Sequence, residues 1–378
     1  MKILFVNEYA GFVGGVEQNI ALTVKALTER GHRCHLAYRK EGKDWSRYNE
    51  LFEEVHDLDS LRLKSLDPDV VYLHRVESVQ PFVGQAFHTV RMVHDHDLCC
   101  PRRHKYHAFT NRICQSKAGW RCWLDLAFLE KTNNGVGLKS LFAHQRELKR
   151  NSELDKLLVG SRSMHSELLQ NGFRDGQVEI VPPAVPPASL PTHPTESPNI
   201  LFVGQMIKGK GPDLLLRAAA KLESPFHLTM VGEGNWVPEL QQMTRDLRLE
   251  DRVTWAGWVS PEKLDEYYRE ARVVAVPSRW PEPFGMVGLE AMQRAKPVVG
   301  FAVGGIPDWL NDGVNGFLID PPSVGKFAVR LDTLLRDQQM AWEMGLQGLR
   351  MAGRDFSFQS YVERLEAVLS PTASRVAS

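Results

Sequence analysis

The chain has 378 residues, which at about 150 residues per domain points to two domains, and is 43% hydrophobic and 24% charged, the balance of a soluble globular protein. Forty-six basic residues cancel forty-six acidic ones, which argues against a general nucleic-acid binder. No apolar run is long enough to span a membrane, and five cysteines fit a reducing cytosol better than a disulfide framework.

The opening MKILFVNEYAG has too short an apolar stretch for a secretory leader. Ile3–Val6 reads as a strand. A glycine-rich turn follows from Gly11 to Gly15, then a helix from Val16 to Arg30, stopped by Gly31. His35–Tyr38 is the next strand, with Cys34 expected in the core. Strand, glycine turn, helix and strand form the unit of a parallel α/β sheet. Val70–Leu73, Val90–Val93, Leu157–Val159 and Val178–Val181 are further buried strands. Asp67-Pro68-Asp69 is read as a turn rather than a metal-binding pair. The stretch from Val136 to Arg150 reads as a basic amphipathic helix. It either packs its leucine face on its own domain or touches a membrane surface.

Proline is concentrated in residues 182–198, where neither a helix nor a central strand can form. A linker over 184–198 is therefore expected between a first domain, 1–183, and a second, 199–355. The pattern then restarts with a strand at Ile200–Val203, a Lys/Gly turn and a helix from Pro212 to Leu222. Strands at His227–Val231, Arg252–Trp255, Val273–Val276 and Pro297–Phe301 alternate with helices. Residues 356–378 hold a last amphipathic helix and a frayed tail. Open parallel sheets take ligands at the carboxyl ends of their strands.

The richest segment is PSRWPEPFGMVGLEAMQRAKPVVGFAVGGIPDWLNDGVNGFLI, residues 277–319. Pro277–Pro283 forms a loop after a strand, and Phe284–Arg294 begins a helix. Glu282 lies in the loop and Glu290 on the helix. The amides of Phe284, Gly285, Met286 and Val287 lie at the helix start, where donors and the dipole favour anionic or hydroxyl-rich groups. Alone, two glutamates beside a proline-capped helix would be ordinary surface charges.

This segment resembles the signature of retaining family-4 glycosyltransferases with the GT-B fold: Glu-Pro-Phe-Gly…Glu, then Gly-Gly-Ile-Pro and Asp-Gly-Val-Asn-Gly-Phe-Leu. The resemblance implies two Rossmann-like domains facing across a cleft, the first binding the acceptor and the second a nucleotide-sugar. The C-terminal helix is expected to return to the N-terminal domain. It places Glu282 at the reacting centre, Glu290 on the ribose hydroxyls, and the Phe284–Val287 amides on sugar and diphosphate.

ILFVGQMIKGKGPDLLLRA, residues 200–218, resembles the family's phosphate grip. Gly204 lets the backbone approach a phosphate and Lys210 matches the lysine that neutralises it. The family's arginine is replaced by Gln205, and Lys208 is the candidate to compensate as a point charge. Gly232, and Trp258 with Val259, lie in loops that flank the nucleotide base in the family. In the first half, Gly14 and Gly15 match the family's Gly-Gly-x-Glu. His94, with Asp95 orienting it, matches a His-Asp pair after a strand.

The implied reaction moves a sugar from a nucleotide diphospho-sugar, UDP- or GDP-linked, to a carbohydrate or lipid-linked acceptor hydroxyl. The anomeric configuration is retained and no metal or other cofactor is required. Polysaccharide, lipopolysaccharide or other glycoconjugate synthesis is the implied setting. The implied location is cytoplasmic, with peripheral contact at the inner face of the membrane as an option. A non-catalytic nucleotide-sugar-binding relative and an epimerase of the same fold are the alternatives. Cys99, Cys100, Cys114 and Cys122, interleaved with histidines, leave a metal site, a redox-sensitive loop and a packed loop open.

Overall fold

The computed structural model describes residues 1–107, 112–132, 135–185, 188 and 193–371. The chain divides into two compact units, Met1–Pro183 with Gln359–Ser378, and Ala184–Phe358.

The first unit is built on a seven-stranded sheet whose neighbours all pair in parallel. Across the sheet the order is Val178–Ile180, Lys156–Val159, His88–Val93, Val70–Leu73, Lys2–Val6, Arg33–Tyr38 and Glu54–Asp57. Two strands are laid down on one side of Lys2–Val6, then four on the other. The winding reverses between Lys2–Val6 and Val70–Leu73. Parallel strands are covered on both faces, so these segments read as unbroken apolar runs. Val70–Leu73 is buried throughout, and Cys34 is buried within its strand. The helix Gly15–Glu29 supplies part of that cover, burying Ile20, Val24 and Leu27 at helical spacing.

The chain's last helix, Phe358–Leu369, belongs to this unit from Gln359 onward. It buries Tyr361, Val362, Leu365 and Leu369 along one stripe. The Tyr361 hydroxyl lies 3.1 Å from Thr23 Oγ1 and donates to Asn19 Oδ1 at 3.2 Å. Glu366 accepts from Arg30 at 2.7 Å and lies 2.7 Å from the His32 ring. The return of this helix agrees with the expectation for the fold. Of the tail expected to fray, residues 372–378 lie outside the described residues.

The second unit has a six-stranded parallel sheet in the order Val253–Gly257, His227–Val231, Asn199–Val203, Ala271–Val276, Val298–Phe301 and Gly316–Ile319. Its winding reverses between Asn199–Val203 and Ala271–Val276. Trp309 is fully buried and donates its indole N–H to the Phe284 carbonyl at 2.7 Å, fixing the start of the helix Met286–Gln293. Residues 186–187 and 189–192 of the expected linker lie outside the described residues. Beyond them, Thr195 is bound into the second unit, accepting from Lys296 Nζ at 2.7 Å.

One element differs from expectation. Residues 136–150 do not form a single helix. Gly135–Leu138 pairs antiparallel with Leu129–Thr132, and the helix is Leu141–Asn151. Ser140 sets its start by accepting the Ala143 amide at 3.1 Å. An N-cap serine ends what precedes it, and that local bond outweighed an apparent periodicity running across it. Among the described residues, no helix is long and apolar enough to cross a membrane.

Candidate functional site

In the second unit, the loops leaving Asn199–Val203 and Ala271–Val276 emerge side by side where the winding reverses. In open α/β sheets that is the place for a ligand. The turn Lys208–Lys210 and the loop 277–283 are joined through the backbone: the Arg279 and Trp280 amides both donate to the Gly209 carbonyl, at 2.8 and 3.2 Å. Gly211 is required for this approach. It has φ of 70°, and a Cβ there would lie 2.0 Å from the Pro277 carbonyl oxygen. Arg279 grips Asp213 with two bonds of 2.5 Å and donates to the Lys208 carbonyl at 3.0 Å.

This junction brings two predicted residues, 72 positions apart, into contact. Lys210 Nζ donates to both oxygens of Glu282 at 2.8 Å, and Ser278 Oγ donates to Glu282 Oε1 at 2.5 Å. Glu282 is only 8% exposed. Its carbonyl accepts from the Gly305 amide at 2.7 Å, which ties it to the Gly304-Gly305-Ile306-Pro307 turn. A buried carboxylate held this way has its charge balanced by a lysine that still reaches solvent.

Gly204 and Gly232 also meet. A Cβ on Gly232, whose φ is 128°, would lie 2.0 Å from the Gly204 carbonyl oxygen. Gln205 and Lys208 are exposed in the same loop. Trp258 is 56% exposed, with half-buried Val259 after it, at the end of Val253–Gly257. The helix Met286–Gln293 follows Gly285, and no side chain caps it. Phe284 is buried and Gly285, Met286 and Val287 are partly exposed, so the predicted amides lie at or just before this terminus. Glu290, about one turn in, has a different partner from Glu282: it accepts from the Tyr268 hydroxyl at 2.7 Å. Burial holds its carboxyl above the usual range, with the Tyr268 bond and the Arg294 charge opposing. Arg294 also stacks over the Tyr268 ring at 4.7 Å.

The first unit repeats the plan with other groups. Gly14 and Gly15 open the helix Gly15–Glu29, again without a side-chain cap. Asn7 crosses the reversal point, accepting from the Arg75 amide at 3.1 Å and donating to buried Glu17 at 3.1 Å. His74 and His94, at the ends of neighbouring strands, lie 2.9 Å apart, Nδ1 to Nε2, with near-parallel rings. Burial, reinforced by Arg75 and Arg91 against Asp97, pushes the His94 imidazole down to about 3. Burial also holds His74 well below its usual range. Both rings are therefore neutral. Asp95 is not the group that holds His94: its Oδ1 accepts the Asp97 amide at 2.7 Å, and burial with the Asp97 charge raises its carboxyl.

Ser278, Tyr268, His74 and the Arg279–Asp213 pair are the residues that sequence reasoning missed. Ser278 and Arg279 lie within the segment 277–319 and Asp213 within 200–218, whereas Tyr268 and His74 carried no signal. Cys99, Cys100, Cys114 and Cys122 line a small cavity as free thiols. Among the described residues they do not bring three metal-ligating atoms together. Burial raises the thiols of Cys99 and Cys100, the opposite of an activated cysteine.

Comparison with known proteins gives the frame for these contacts. Residues 191–350 match the family model described as glycosyl transferases group 1. The D-inositol 3-phosphate glycosyltransferase of Mycobacterium sp. (strain KMS) is 36% identical over 200 residues, 48% of this chain and 45% of the relative. The protein of the same description from Acidothermus cellulolyticus is 30% identical over 260 residues, 59% of this chain and 57% of the relative. The chain thus spans about half the length of these curated relatives. Among solved structures, Anabaena HepE in complex with UDP and glucose aligns with a TM-score of 0.73 at 20% identity, covering 98% of this chain and 99% of the other. The apo lipopolysaccharide outer core galactosyltransferase WaaB aligns at 0.68 and 19%, covering 97% and 99%. At those identities the likeness is one of fold. The two doubly wound units thus share a GT-B fold with these structures, and residues 191–350, which hold the motif-bearing junction of the second unit, are similar to the glycosyl transferases group 1 family.

Proposed function

We propose that this chain is a retaining glycosyltransferase of family 4 that moves a sugar from a nucleotide diphospho-sugar to an acceptor hydroxyl. The observation that carries the reading is the contact of Glu282 with Lys210 and Ser278 at the second unit's reversal point. The diphosphate is assigned to Lys210, Gly204 and the uncapped start of Met286–Gln293. Gln205 stands where the family's arginine is expected, and Lys208 is assigned to compensate for it as a point charge. Glu290 is assigned to the ribose, and Gly232, Trp258 and Val259 to the base. UDP is the favoured nucleotide, because Anabaena HepE has been solved with UDP.

In the reaction, the bond from the sugar's anomeric carbon to the diphosphate oxygen breaks with its electron pair on the phosphate. The acceptor oxygen bonds the same carbon on the same face, and its proton passes to the departing phosphate oxygen. Negative charge grows on the leaving group, where Lys210 and the helix-start amides stabilise it. Glu282, released from Lys210 as the lysine turns to phosphate, positions the sugar and balances its positive charge. No metal is needed for this, since the lysine and amides supply the positive field. The acceptor, carbohydrate or lipid-linked, is assigned to the first unit. There Gly14 and Gly15 present backbone, and neutral His94, held by His74, offers a hydrogen bond to a hydroxyl.

Exposed Trp120, Trp123, Leu124 and Phe142, with exposed Arg121, Arg146 and Lys149 nearby in sequence, support peripheral contact with an anionic inner leaflet. The location this implies is cytoplasmic.

The test is a thermal-melt panel of UDP-, GDP-, ADP- and TDP-sugars without added metal. One nucleotide should raise the melting temperature, by an amount that grows with concentration. Lys210→Ala should remove that rise. A shift that survives Lys210→Ala would discard the assigned phosphate site. Release of an isomerised sugar without any acceptor would favour an epimerase instead.

A further inference from the structure

The outer edge of the first sheet holds a group of side chains that the transfer chemistry does not use. His35, in the strand Arg33–Tyr38, stands in register with Glu54 on the edge strand Glu54–Asp57, and His56 follows two residues on along the same face. His35 is 1% exposed, yet neither of its ring nitrogens has a hydrogen-bond partner. A neutral imidazole carries one N–H and one lone pair, and burying both without partners is costly. The nearest carboxylate atoms are Glu54 Oε2, 3.4 Å from Nδ1, and Glu53 Oε2, 4.0 Å from Nε2. Glu53 is already held by the Arg33 guanidinium at 2.6–2.9 Å. His56 Nε2 is also buried without a partner and lies 3.5 Å from the same Glu54 oxygen.

One atom from each of His35, Glu54 and His56 thus falls within 4.8 Å of the others. Around a tetrahedral metal with bonds of about 2.0–2.1 Å, ligand atoms stand roughly 3.3–3.4 Å apart. The two measured separations to Glu54 need little change to meet that. Two imidazoles and a carboxylate suit zinc and its first-row neighbours rather than calcium or magnesium. A groove of about 520 Å³ beside Glu54 and His56 leaves room for water to complete the shell. We propose that His35, Glu54 and His56 form a binding site for a divalent transition metal of the zinc class. It joins the edge strand to its neighbour and satisfies the orphaned ring of His35. The site is structural and separate from the donor loops.

The test uses the full chain, stripped with a chelator and titrated with zinc alone by calorimetry, then with cobalt for its absorption spectrum. One equivalent should bind, with cobalt d–d bands and no thiolate charge-transfer band. His56→Ala and Glu54→Gln lie on the exposed edge, so the metal-free variants should melt like the metal-free parent. Each should weaken zinc binding at least about 10-fold, the scale seen when groups that support a metal are lost. Absent binding, unchanged affinity in both variants, or a thiolate band pointing to the cysteine loop would overturn the assignment.

Discussion

The two units share one winding and differ in what they place where the winding reverses. The second sets a charged pair there, Lys210 on Glu282. The first sets Asn7 across that point, bonded to the Arg75 amide, and beside it two neutral imidazoles, His74 on His94 of the next strand. A lysine and a carboxylate at close range are suited to a ligand that brings charge. Neutral rings can only offer or accept a hydrogen bond. The contrast teaches that topology selects the position of a site, while a few side chains select its electrostatics.

Replacing Glu282 with Gln breaks the charged side of the contrast and carries the largest expected effect. Transfer should fall about 10²–10³-fold, the scale of losing one preorganised electrostatic group. The melting temperature should change little, because an amide still accepts from Ser278. Near-normal turnover by this variant would remove Glu282 from the reacting centre.

Glu290→Gln comes next and separates binding from stability. The folded carboxyl sits above its ordinary range, so its ionised form is disfavoured. Stability linked to this group is therefore present below the unfolded pKa and lost as pH rises through the raised folded value. At neutral pH the amide escapes that cost, and the variant should melt higher than the parent. Donor affinity should drop about 10-fold, and the parent's affinity should weaken as acid protonates Glu290. A variant that binds donor normally would place the ribose elsewhere.

The neutral side makes a smaller prediction. With His94 down at about 3, kcat/KM should show no histidine limb between about pH 5 and 8. A limb in that range that vanishes in His94→Ala would show that the ring takes a proton during turnover. The smallest effect is expected from Tyr361→Phe, which removes the hydroxyl shared with Thr23 and Asn19. A loss of about 1 kcal/mol corresponds to roughly 2–4 °C in a unit of this size, read by calorimetry. Unchanged melting would mean the return helix is held by its apolar stripe alone.

Much of this was legible in the sequence, and unevenly so. The strands around Val6, Leu73, Val203 and Val276 announce themselves because buried parallel strands are apolar throughout. Glu282 and Lys210 were each found within a local pattern, but nothing local says that residues 72 apart share a bond. His74 was missed because a lone histidine after a strand has no signature until its neighbour is in place. Residues 136–150 misled because an apolar strand followed by an amphipathic helix mimics one longer period, although Ser140 offered a start signal. Asp95 was expected to orient His94 because the two match the family's His-Asp pair, whereas its carboxylate instead accepts the Asp97 amide.

The first unit is assembled from both ends of the chain: residues to Pro183 and again from Gln359. On a ribosome adding about 5–20 residues per second, the first unit waits roughly 9–35 s between emergence of its sheet and arrival of the helix that covers it. During that interval the side chains that later meet Tyr361, Leu365 and Leu369 face solvent or a chaperone. The chain thus finishes its second unit before its first, and a translation stall or premature stop near its end would leave the earlier-made half as the unfinished one.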